Sequence, residues 1–154
     1  MKMKFGFCTQ GLICFILLMI PNIFWFAFPA ANVVKEASGV STIGIIQSVA
    51  RISFFAFTIL FVSEKKMKYK SLLIIFMALM LLFYYIAWIR YFAGDCDSAL
   101  LVAKLWFIPI PLAIFPVLFF IGESLWLRNV PALISAVVFG VFHCYEAYIG
   151  YIKL

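Results

Sequence analysis

The chain is 154 residues long, 68% of them in the A, V, I, L, M, F, W, Y and C set and only 12% charged, with a formal net charge of +6. A water-soluble domain runs about half apolar and a quarter charged, so this composition leaves no wetted surface and describes a membrane protein. A helix needs about 20 residues to cross roughly 30 Å of hydrocarbon, so the length admits about five or six spans and no separate soluble domain. Nucleotide-binding folds, zinc ribbons and secreted disulfide scaffolds are thereby excluded, and without alternating strand-length segments an outer-membrane barrel is not expected.

Five uninterrupted apolar stretches predict an all-α, five-transmembrane-helix bundle forming one domain over residues 1–154, with spans at 6–28, 41–62, 71–92, 99–121 and 131–151. The links are short, so sequential helices are expected to be antiparallel neighbours. The first segment follows Met-Lys-Met-Lys, as signal peptides do, but its apolar run is long and Phe28 and Pro29 spoil a small-residue cleavage pattern. It is therefore expected to remain as a span. It carries Asn22, Cys8 and Cys14.

In the second span Gly44, Gln47, Ser48, Arg51 and Thr58 follow helical spacings and make one polar stripe. The third contributes Tyr84 and Tyr85. The fourth holds Lys104 and Trp106, then Pro109, Pro111 and Pro116 within eight residues. Each proline lacks an N–H and restricts the residue before it, so a hinge or break near the midplane is expected. In the fifth, Ala132, Ala136, Gly140 and Cys144 recur every fourth residue as a small-residue face suited to close packing, through which a homodimer is expected. His143 and Glu146 lie three apart beside that face.

Basic residues set the orientation. Lys2, Lys4, Lys65, Lys66, Lys68, Lys70 and Arg128 fall on one side, against Lys35, Arg90 and Lys153 on the other. This places the N-terminus in the cytoplasm and the C-terminus outside, in a plasma or bacterial inner membrane. The positive charge then serves topology and anionic headgroups, with membrane lipids as partners and no nucleic acid.

Charges at membrane depth are penalised by about 2.5 to 3.5 kcal/mol each, so Arg51, Lys104, His143 and Glu146 need a cause. Counted from the outer ends of their spans they fall at similar depth, with Asn22, Gln47, Tyr84 and Tyr85. A shared outward-facing pocket lets them satisfy one another, with Trp106 in its lining; the competing reading is an Arg51–Glu146 pair that merely holds the helices together. Two fixed cations against one carboxylate leave a positive excess, unless Lys104 snorkels to the outer interface. The expected ligand is thus an anionic or amphipathic small molecule, bound or transported.

Enzyme motifs are missing: no G-x-S-x-G, HExxH or paired membrane aspartates are visible. A lone His supports neither bis-histidine haem nor a closed metal site, so no cofactor and no metal are expected. Trp25, Trp88, Tyr91 and Tyr151 read as an interfacial aromatic belt. The rival function is a non-transporting accessory or immunity-type protein that recognises a partner or a membrane-active peptide through the outer link at residues 95–97.

Overall fold

The computed structural model describes residues 3–30, 41–64 and 71–154. Most of the basic residues used for orientation, Lys2, Lys35 and the lysines of 65–70, lie outside the described residues. The chain is all-α in its body. Helices α1 (Thr9–Ala27), α2 (Thr42–Leu60), α3 (Leu72–Ala93) and α5 (Val130–Tyr151) are long and apolar enough to cross a membrane. Helix α4 (Pro111–Trp126) is shorter, at 16 residues. Two three-residue strands, β1 (Met3–Phe5) and β2 (Phe61–Ser63), pair antiparallel and tie the chain start to the exit of α2; the apolar pattern did not signal them.

Local chemistry sets the helix starts. Ser41 Oγ accepts from the Gly44 N–H at 3.0 Å and Ser71 Oγ from the Leu73 N–H at 3.3 Å, each satisfying a donor that the first turn leaves unpaired. Asn129 Oδ1 caps α5 by accepting from the Ala132 N–H at 3.0 Å, while its Nδ2 donates to the Phe57 carbonyl at 2.7 Å. One buried amide thus starts α5 and holds the end of α2.

Around the bundle the helices run α1, α2, α5, α4, α3. Sequential helices are neighbours except that α2 lies chiefly against α5 rather than α3. Small residues decide these crossings. A Cβ at Gly11 would sit 2.2 Å from the Thr58 carbonyl oxygen, so α1 meets α2 backbone to backbone. One at Gly140 would sit 2.5 Å from Val117 Cγ1 across the α4–α5 contact. Ala132 and Ala136 are fully buried, so this part of the small-residue face of α5 packs inside the chain. Outward faces carry exposed Ile23, Ile52, Ile89, Ile134 and Val141, side chains that lipid accepts and water does not.

The fourth apolar stretch departs most from expectation. It is not a continuous helix over 99–121. A short 3-10 helix (Ser98–Leu101) leads into a turn in which Leu105 and Ile108 exchange backbone hydrogen bonds at 2.9 and 3.0 Å, and α4 begins only at Pro111. The prolines explain this. Pro109 and Pro111 have no N–H to donate, and Ile110 before Pro111 adopts a left-handed φ of 44°. Pro111 then occupies a first-turn position where its missing donor is harmless. The irregular backbone is satisfied from α3, whose Arg90 donates to the carbonyls of Lys104 (2.6 Å), Ala103 (2.8 Å) and Leu100 (3.3 Å). Non-helical backbone at membrane depth needs such partners.

Candidate functional site

A chamber of about 280 Å³ opens in the middle of the ring, roofed by Leu101 and Val102 of the irregular segment and by the first turns of α4. Every helix contributes to its wall. Asn22 comes from α1, Arg51 from α2, Tyr84 and Trp88 from α3, Pro116 from α4 and His143 from α5. The break before α4 matters here, because a helix running through 99–110 would place regular backbone where the roof now lies.

The polar groups form two connected sets. Asn22 Nδ2 donates to the Leu18 carbonyl at 3.0 Å and to the Tyr84 hydroxyl oxygen at 2.8 Å. Tyr84 therefore acts as an acceptor toward Asn22 and keeps its own O–H proton for another group. On the opposite side Gln47, buried between α2 and α5, donates from Nε2 to a Glu146 carboxylate oxygen, and its Oε1 lies 3.2 Å from His143 Nδ1. A carboxylate only accepts, so the Gln47 amide nitrogen must face Glu146 and its oxygen must face His143. His143 consequently donates from Nδ1, and Nε2 is its other functional nitrogen. The ring stacks on Phe139 with centroids 4.7 Å apart.

Arg51 lines the same chamber. Among the described residues the one ion pair is Lys4–Glu64, at 3.1 Å and on the surface, so Arg51 and Glu146 do not form the packing pair of the competing reading. The carboxylate of Glu146 is instead held by Gln47, at an exposed position beside the chamber.

Five residues expected in the pocket do not line it: Gln47 and Glu146 sit beside it, and the other three lie farther away. Lys104 is exposed beyond the roof, and only its carbonyl is engaged, by Arg90. A residue in an irregular segment no longer follows the helical count that placed it inward. Trp106, at φ 54°, is likewise exposed and meets Phe83 edge-on. Tyr85 is half-buried on the outer side of α3, and its hydroxyl donates to the Leu17 carbonyl at 2.6 Å. Of the prolines, Pro116 lines the chamber, while Pro109 and Pro111 shape the break.

Other residues matter that their types did not announce. Trp88 and Tyr91 are buried rather than interfacial; Trp88 walls the chamber and the Tyr91 hydroxyl donates to the Phe28 carbonyl at 3.3 Å. Glu123, assigned by hydropathy to a link, sits inside α4 at 1% exposure, and its Oε1 has no hydrogen-bond partner among the described residues. A lone acidic residue just past an apolar run was its only signal. All four cysteines are free thiols.

The chain matches no family model, no curated protein and no solved structure. What the site does therefore has to be argued from its groups. A fixed guanidinium, a phenolic O–H and an imidazole nitrogen surround a space otherwise walled by Leu, Phe, Trp and Pro side chains.

Proposed function

We propose that this chain is a five-pass protein of the cell membrane, N-terminus cytoplasmic and C-terminus outside, which binds or transports an anionic or amphipathic small molecule through its chamber. The observation that carries this is Arg51, a cation that cannot lose its proton, exposed at the chamber's edge and lining it with no carboxylate within ion-pairing distance among the described residues. Within a span, a charge so placed is stabilised by a ligand that supplies an anion.

The fifth crossing is made by α4 with the irregular segment before it. At 1.5 Å per residue the 16-residue helix rises about 24 Å, and the roof segment accounts for the remaining depth. This puts Lys4, Glu64 and Arg128 at the cytoplasmic end and Lys104 and Lys153 at the outer end. The chamber then belongs to the outer half, under a roof that faces outside.

The test is equilibrium binding of small carboxylates to the purified chain in nanodiscs. Arg51→Gln should lower affinity by about tenfold, the loss expected when a close charge pair worth about 1.5 kcal/mol is removed, and leave helicity and elution volume unchanged. Equal affinity in the variant would defeat the proposal. Uptake into proteoliposomes then separates carriage from binding alone.

A further inference from the structure

The chamber has an apolar companion on the outer surface. A groove of about 710 Å³ runs between α1 and α3, walled by Pro21, Phe24, Tyr85, Ile89 and Phe92, and it shares Trp88 with the chamber. The seam separating the two spaces is thin. Helix α1 packs only lightly on α3, and hydrogen bonds join their middles from Asn22 to Tyr84 and from Tyr85 to Leu17. On both helices, adjacent residues line different spaces. Asn22 and Tyr84 look into the chamber, Pro21 and Tyr85 into the groove.

We propose that the α1–α3 seam is a lateral portal for a single-chain anionic amphiphile, whose carboxylate reaches Arg51 while its alkyl chain lies in the groove. This rests on the chamber reading above and adds the class of ligand. Charge complementarity supplies the head: Arg51 has no carboxylate among the described residues, whereas the groove contributes no charged side chain to its walls. Continuity through Trp88 supplies the link between head and tail. The chamber alone, at 280 Å³, has room for a headgroup but not for a long chain as well. A diacyl lipid would need room for a second chain, and this groove is one channel between α1 and α3.

The experiment compares oleate, hexanoate and methyl oleate on the full chain in nanodiscs, each corrected for partition into empty nanodiscs. Each buried methylene contributes about fourfold in affinity, so oleate should bind at least about 100-fold more tightly than hexanoate, and methyl oleate should lose most of that affinity. Filling the groove by Ile89→Trp, at a position already exposed, should weaken oleate and leave hexanoate unchanged. Phe92→Ala, which removes a wall, should act in the same direction. If hexanoate binds in an Arg51-dependent way and oleate gains nothing, the chamber reading stands and the portal is wrong. If neither acid binds, or if Arg51→Gln leaves oleate binding intact, both are wrong.

Discussion

Tyr85 supplies the hydrogen bond that Pro21 takes away. Pro21 lies inside α1 and has no N–H to give the carbonyl of Leu17, four residues earlier; the Tyr85 hydroxyl donates to that carbonyl at 2.6 Å. A helix defect facing hydrocarbon is thereby repaired from the neighbouring helix, and the repair is also a fastening between α1 and α3.

The pairing predicts a non-additive result. Tyr85→Phe should lower resistance to unfolding in detergent by about 1 kcal/mol, because the Leu17 carbonyl is left without a donor. In a Pro21→Ala background, residue 21 regains its N–H and the same change should be nearly silent. Additive effects in this double-mutant cycle would show that the hydroxyl and the proline act separately.

Gln47 is expected to dictate the proton position on His143. In the wild type, nitrogen NMR of the neutral ring should find the proton on Nδ1, since the amide oxygen that faces it only accepts. Gln47→Leu removes that acceptor and should give a mixture of tautomers. A wild-type ring protonated on Nε2 would mean that the amide is turned the other way and that Glu146 is not its acceptor.

Two glycines should respond differently to the same substitution. Gly11→Ala drives a methyl group into the Thr58 backbone oxygen at 2.2 Å, which yields only if α1 and α2 separate. Gly140→Ala meets a Val117 methyl group at 2.5 Å, which has some freedom to move. Thermal unfolding should show a loss of about 1 to 3 kcal/mol for crowding at Gly140 and at least as much at Gly11. The reverse ranking would contradict the backbone crossing described for α1 and α2.

Glu123 predicts a gain. Its Oε1 is buried without a partner among the described residues, a state that is unfavourable by about 1 to 3 kcal/mol, so Glu123→Met should raise the unfolding temperature. If the Met variant unfolds more readily, the carboxyl group is holding something in place. If it is more stable but inactive in the binding assay, Glu123 is kept for function.

The four long helices were legible to within a few residues because lipid penalises every polar residue in a span. The same penalty singles out Asn22, Arg51, Tyr84 and His143, which line one chamber. Legibility failed where helical counting failed. Residues 99–110 are as apolar as a span, and hydropathy does not distinguish a helix from an irregular segment pinned by Arg90, so helical counting points Lys104 and Trp106 inward whereas both are exposed. The prolines announced a break without showing which side of it would stay helical. Rotation was the other blind spot. Helix α3 is apolar almost all round, so nothing in its pattern turned Trp88 inward and Tyr85 outward, and Glu123 was lost because the apolar run was ended two residues before it.

Arg90 fastens the carbonyls of Leu100, Ala103 and Lys104 with a single guanidinium. Three anchorages that share one cation are not independent: a rotamer change that breaks one breaks all. The outer cover of the bundle should therefore exchange its amide hydrogens as one cooperative unit, on a clock set by a side chain from a different helix rather than by the turns of the cover itself.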